Sequence, residues 1–253
     1  MRAIPTLDHR WPVRTVYTGW EDTLHLPRWT DPAARDAHLQ AFFPTPITPV
    51  FAVETHSSHV WAVTDAAGSL VPAVTGEPGI KPGGYDALVT DVPGVLLCIW
   101  TADCLPLTLY DPVHHAAAMV HCGWRGICGG IAAGALTAME LRYGTRPGDV
   151  EAVMGPCICA DCYEVGGELR ERFALGYTAA EVDTLFRPGR AGKYLLDLRR
   201  AVCLQLEHSG AAAEHIHDLG ICTFEDSRYP SYRRERRTEK GKQILSGIVL
   251  LRR

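Results

Sequence analysis

A cysteine and a histidine stand at the ends of two apolar runs. Cys104, in Thr101-Ala-Asp-Cys-Leu-Pro106, follows Val95–Trp100, and His121, in His121-Cys-Gly-Trp-Arg-Gly126, follows Ala116–Val120. Both runs have the unbroken apolar character of buried strands. If the strands are neighbours, a thiol and an imidazole converge at one sheet edge. Such groups are zinc-type ligands, and three of them leave a fourth position for water, as catalytic zinc sites require. Zinc lowers the pKa of that water to about 7, which makes it a nucleophile at neutral pH. The best-placed third ligand is His56, in the turn Thr55-His-Ser-Ser-His59 between apolar runs, and His59 competes three residues later. Without a metal, the same atoms make a cysteine hydrolase, with Cys104 as nucleophile and His121 as its base.

Other residues could serve such a centre. Asp103 adjoins a ligand, and Glu164 follows an apparent turn; either could orient a histidine or move a proton. Arg125, just past the His121 strand, suits an anion, and Arg233 and Arg234 open a basic run that continues through Arg237 to Lys240 and Lys242. That run is either a solvated loop or an anion-binding arm. Cys157-Ile-Cys159-Ala-Asp-Cys162 has spacing that could support a structural zinc or iron–sulfur site, but no second pair of cysteines accompanies it. His114-His115 lies in a polar turn after Asp111-Pro112 and reads as exposed.

The elements that must position these groups alternate in type. Strands are expected at Pro49–Glu54, Val60–Val63, Asp86–Thr90, Val95–Trp100, Pro106–Tyr110, Ala116–His121, Glu151–Met154, His215–Leu219 and Ile244–Leu250. Helices are expected at Pro32–Phe42, Ile127–Tyr143 (with Gly144 as its stop), Gly167–Leu175 and Tyr194–His208. A Gly/Pro-rich loop spans Gly76 to Gly84. The alternation indicates an α/β or α+β protein. No internal repeat or linker interrupts the chain, so one domain over 1–253 is expected, with a polar, Pro-rich segment at 1–46 that carries Trp11, Trp20 and Trp29.

With 253 residues, 47% hydrophobic and 21% charged, the composition is that of a globular protein with a large core. A net charge of −4 argues against a nucleic-acid partner. No apolar stretch reaches the ~20 residues of a membrane span, and no leader sequence is evident, so a cytoplasmic protein is expected. Nine cysteines then read as thiols or ligands rather than a disulfide framework. The oligomeric state is not legible.

Four ordered motifs carry a resemblance. Thr101-Ala-Asp-Cys-Leu-Pro106, His121-Cys-Gly-Trp-Arg-Gly126, Gly155-Pro156-x6-Tyr163-Glu-Val165 and Ser231-Tyr-Arg-Arg234 resemble the successive signatures of the YfiH/YlmD/laccase-domain family. Its members were formerly labelled multicopper polyphenol oxidases and are now regarded as purine nucleoside phosphorylases with adenosine deaminase activity. The resemblance implies His56, Cys104 and His121 as zinc (Zn2+) ligands, preferring His56 over His59, and a purine nucleoside and phosphate as substrates. It also implies an α/β (α+β) sandwich of two packed mixed β-sheets flanked by helices. Copper is an alternative metal, although copper-dependent phenol oxidation needs more paired histidines than this arrangement offers. A non-catalytic metal-binding protein is the remaining alternative. The chain departs from the family pattern in two places. The N-terminal Gly pair and Asn are absent from Val16-Tyr-Thr-Gly19-Trp20 and Thr23-Leu-His25-Leu26. The Gln and Gly flanking the first histidine are replaced by Glu54 and Ser57. The metal site is therefore implied more fully than the nucleoside specificity.

Overall fold

A computed structural model of the chain describes residues 5–19, 32–43, 45–73, 84–190, 192–235 and 243–253. Trp20, His25, Trp29, most of the Gly76–Gly84 loop, and Arg236, Arg237, Lys240 and Lys242 lie outside them. In chain order the elements are α1 (Pro5–Asp8), β1 (Val13–Tyr17), α2 (Pro32–Gln40), β2 (Thr48–Phe51), β3 (Val60–Val63), β4 (Leu70–Pro72), β5 (Ala87–Thr90), β6 (Val95–Thr101), β7 (Leu105–Asp111) and β8 (Ala116–Cys122). There follow α3 (Trp124–Cys128), α4 (Ile131–Tyr143), β9 (Glu151–Met154), β10 (Glu164–Val165), α5 (Gly167–Phe173), α6 (Ala179–Leu185), β11 (Phe186–Pro188), β12 (Tyr194–Leu196), α7 (Leu198–His208), β13 (Ile216–Asp218) and β14 (Ile244–Leu250).

Two mixed sheets dominate, as the resemblance implies. One has the order β1-β14-β6-β2, the other β13-β9-β7-β8-β5-β3-β4, and a small third sheet has β10-β12-β11. Successive strand residues point to opposite faces, and the layers follow from this. Along β6, Val95, Leu97 and Ile99 meet Leu88, Ala117 and Met119 of the seven-stranded sheet, while Leu96 and Cys98 face Leu39 and Phe43 around α2. Along β7, Leu105, Leu107 and Leu109 point the other way, onto Ala135 and Met139 of α4 and Val202 of α7. The result is four layers: helix, four-stranded sheet, seven-stranded sheet, helices.

Three expectations are corrected. The helix read over Ile127–Tyr143 is two helices, because Gly130 takes φ 76° and breaks the run; Gly144, at φ 74°, does end it. The helix read over Tyr194–His208 begins with the strand β12. Asp197 then caps α7 by accepting from the Arg200 N–H at 3.0 Å. His115 is not exposed: it is buried between the Tyr110 hydroxyl at 3.0 Å and the Leu251 carbonyl at 2.8 Å. Helix α6 was not expected, although Thr178-x-x-Glu181 forms a capping box at its start. Among the described residues no helix is long and apolar enough to cross a membrane.

Candidate metal centre and its cavity

Cys104 and His121 converge, but through a different pair of strands from the one expected. The run before Cys104 is β6, which belongs to the four-stranded sheet, whereas the His121 strand β8 lies in the seven-stranded one. The neighbours of β8 are β5 and β7, and β7 starts right after Cys104, with Leu105 opposite Cys122 and Pro106 opposite His121. The chain changes sheet between Thr101 and Leu105, and Cys104 sits on that crossover. It makes the same change between β2 and β3, and His56 sits on that one. β2 and β6 are parallel neighbours, so both crossovers leave the four-stranded sheet at the same end. Two contacts tie them: the Ala52 N–H donates to the Cys98 carbonyl at 2.9 Å, and the Trp100 N–H donates to the Glu54 carboxylate at 2.7 Å. Both turns are tight. His56 has φ 60° and Asp103 φ 85°, left-handed conformations that cost non-glycine residues roughly 1–3 kcal/mol each.

The ring nitrogens of His56 and His121 and the Cys104 sulfur lie within 4.8 Å of one another. His59 is outside the group, with Nδ1 3.2 Å from the Gly84 carbonyl. Gly123 closes the cluster from below. A methyl group there would come within 2.9 Å of His56 Cδ2 and 3.2 Å of Cys104 Sγ. Gly126 is equally constrained, since a methyl would meet the Ser57 carbonyl at 2.8 Å. The glycines of the His121 motif thus let α3 lie against the His56 turn.

Asp86, just before β5, organises the site and was not singled out from the sequence. Its buried carboxylate accepts from the N–H groups of Thr55 (3.1 Å), His56 (3.0 Å) and Ser57 (2.7 Å), and from the Ser57 hydroxyl (2.6 Å). His121 Nδ1 lies 2.7 Å from the same carboxylate. That contact holds the ring so that Nε2 faces the cluster, the role a carboxylate plays behind a metal-binding histidine. The only sequence signal is an aspartate opening a buried apolar strand.

Electrostatics couple Cys104, His121 and Asp86 into a thiolate–imidazolium–carboxylate series, from which a bound cation would displace the His121 proton. Burial pushes the Cys104 thiol up, but the His121 charge and the hydrogen bonds from His121 and His56 outweigh it and bring the thiol down to about 7. Burial would lower His121, yet the Cys104 charge and the Asp86 hydrogen bond lift it to about 10. Burial also works against the Asp86 carboxylate, but His121 and Ser57 hold it at about 2. An easily ionised thiol beside two imidazoles is a nitrogen–sulfur donor set suited to zinc. Among the described residues no fourth His, Cys or acidic donor joins the group, so the set is an open one.

The cluster faces a cavity of about 570 Å³, within the range of small-molecule sites. Its walls carry Trp124, Tyr163 and Tyr232, the cations Arg125 and Arg233, and the acids Glu54 and Asp103. Arg125 stacks on Trp124 at 4.3 Å and Arg233 on Tyr163 at 5.1 Å. Asp103 accepts from the Thr223 hydroxyl and from the Arg233 N–H, both at 2.6 Å. Glu54, not considered a site residue in the sequence, is raised by burial, partly offset by its bond from Trp100.

Glu164 and Arg234 lie elsewhere. The Glu164 carboxylate pairs with Lys193 at 3.4 Å and is not on the cavity wall. The Arg234 guanidinium is enclosed by the carbonyls of Thr223 (2.6 Å), Phe224 (3.0 Å) and Tyr229 (2.6 Å). The sequence had set both beside a neighbour that does reach the cavity, Tyr163 and Arg233.

Residues 33–250 match the family described as multi-copper polyphenol oxidoreductase laccase. A purine nucleoside phosphorylase from Bacteroides thetaiotaomicron is 34% identical over 79% of this chain and 73% of its own. A protein named adenosine deaminase RL5, from an unknown prokaryotic organism, is 36% identical over 67% of this chain and 63% of its own. Among solved structures, Bacillus licheniformis YfiH superposes with a TM-score of 0.73 at 30% identity, over 86% of this chain and 80% of that one. YlmD from Geobacillus stearothermophilus gives 0.71 at 26% identity, over 88% of this chain and 81% of that one.

Proposed function

The chain belongs to the multi-copper polyphenol oxidoreductase laccase family, and from that premise we propose that it is a zinc-dependent purine nucleoside phosphorylase with adenosine deaminase activity. The observation that carries this reading is an open three-donor centre with two arginines and three aromatic faces around one cavity. The names of its relatives supply the substrate class. When bound, zinc supplies Lewis acidity at the His56, Cys104 and His121 donors.

The chain's own residues do the rest. Trp124, Tyr163 and Tyr232 offer faces for a purine. Arg125 and Arg233 hold phosphate against the ribose C1′, and stacking on Trp124 and Tyr163 limits their freedom. Asp103 has both oxygens engaged, so it positions Arg233 through that residue's N–H instead of moving a proton. Glu54 is the acid with a raised pKa in the cavity. In this reading it gives a proton to the departing base in phosphorolysis or to the departing ammonia in deamination.

Copper-dependent phenol oxidation is less well supported. Of the two His/Cys/acid groupings among the described residues, only one contains histidine. The cysteine hydrolase reading has one observation in its favour, the readily ionised Cys104 beside His121.

The test is to incubate the zinc-loaded protein with inosine or adenosine, with and without phosphate, and to separate the products. Free base and ribose 1-phosphate are expected with phosphate, and inosine from adenosine without it. No product from protein carrying stoichiometric zinc would overturn the substrate assignment. Activity that survives chelation but is stopped by alkylation of Cys104 would favour the hydrolase.

A further inference from the structure

The sequence places no second cysteine pair beside Cys157-x-Cys159-x-x-Cys162, but the fold brings one more thiol to it. We propose that Cys159, Cys162, Cys222 and Glu225 form a second, structural site for a divalent cation of the zinc class. Their three sulfurs and a carboxylate oxygen lie within 4.8 Å of one another. Two turns face each other there, and each presents donors three residues apart. In the first, the Cys162 N–H donates to the Cys159 carbonyl at 3.1 Å; in the second, the Asp226 N–H donates to the Cys222 carbonyl at 2.9 Å. A parallel bridge between Cys157 and Cys222 locks the turns together, through Cys157 N–H to the Ile221 carbonyl (3.2 Å) and Thr223 N–H to the Cys157 carbonyl (3.0 Å). The Cys159 N–H donates to the Cys222 sulfur at 3.3 Å, a bond that strengthens when the acceptor is a thiolate.

Four donors make a closed set, as in structural zinc sites, with no position left for a substrate. Three sulfurs select a thiophilic cation, and the carboxylate suits zinc. A disulfide would use two of the sulfurs and leave a thiol and a carboxylate crowded against it. The site has a place in the architecture. Its first turn carries Ile158 and Tyr163 of the cavity wall, and its second carries Thr223, which holds Asp103. A metal here would staple together segments 63 residues apart in the chain. The proposal does not depend on what the catalytic centre turns over.

The experiment uses the full-length chain with His56→Ala and His121→Ala, which removes the first centre. This protein is expected to retain one zinc ion per chain and, after cobalt exchange, to show thiolate-to-cobalt charge-transfer absorption. Adding Cys159→Ser and Cys162→Ser should abolish both. In the wild-type protein, which needs no substitution, Cys159 and Cys162 should resist an alkylating reagent until a chelator is added, as mapped by mass spectrometry. Glu225→Gln should shorten that protection while leaving the circular dichroism unchanged. A His56/His121 variant that folds without zinc, a cobalt spectrum lacking the thiolate band, equal labelling before and after chelation, or a disulfide among these cysteines would each overturn the proposal.

Discussion

The carboxylate of Asp86 shows how a single residue can orient a candidate metal centre without being one of its donors. It collects the N–H groups of the His56 turn and Nδ1 of His121, so it orients two of the three candidate ligands at once. Asp86→Asn offers one accepting oxygen where the carboxylate offers two, and its amide nitrogen would face those donors. Zinc affinity should fall about 10–100-fold, measurable by competition with a chromogenic chelator. Unchanged affinity would mean that the turn holds itself. The convergence of the three candidate donors was legible because Cys and His beside strand ends are unusual and chemically specific. Asp86 was not, because an aspartate before a strand reads equally well as a turn residue. Glu164 was misplaced for a geometric reason: in β10 the alternation sends Val165 into the core and Glu164 outward to Lys193.

At the scale of elements, the centre depends on close approach between α3 and the His56 turn. Gly123→Ala puts a methyl 2.9 Å from the His56 ring, closer than packed atoms tolerate. The variant should lose metal and turnover while its far-ultraviolet circular dichroism stays native; full metal content would refute the packing argument. The capping box of α6 offers a test away from the site. Thr178→Ala removes the acceptor for the Glu181 N–H and should cost about 1 kcal/mol in urea unfolding, with catalysis unaffected. Helix α6 was missed although the capping signature was present, because only seven residues follow it and the apolar pattern is short. The merging of α3 with α4 had the opposite cause. Small apolar residues continue at helical spacing on both sides of Gly129-Gly130, and only the φ of 76° at Gly130 separates them.

The whole molecule is held by apolar contact between two sheets and by a few polar links across them. Ile99 is fully buried in that interface, so Ile99→Ala should destabilise the protein by about 2–5 kcal/mol, read as a lowered denaturant midpoint. His115 is one of the polar links, joining Tyr110 in the seven-stranded sheet to the Leu251 carbonyl beyond β14. Burial lowers its pKa below the ordinary 6.5, the Leu251 carbonyl works against this, and Arg253 adds to it. Below about pH 6.5 the unfolded chain therefore takes up the proton first. The contribution of His115 is present at neutral pH and is lost as the pH falls through that range. Thermal melts of the wild type and His115→Gln from pH 7.5 to 5 should diverge accordingly; parallel curves would exclude this linkage.

Composition, strand periodicity and four ordered motifs determined by themselves the fold class, the family and the residue types that could bind a metal. These depend on local patterns: alternation along a strand, turn residues between runs, and side chains whose chemistry is rare. The tertiary structure decided what local pattern cannot encode. It showed that the chain switches sheets at both His56 and Cys104, that β7 rather than β6 adjoins the His121 strand, and that Asp86 ties the two histidines together. It also showed that Cys222, far along the chain, completes a cluster the sequence left half made. Each of these is a contact between distant segments, and its geometry follows from how two sheets pack.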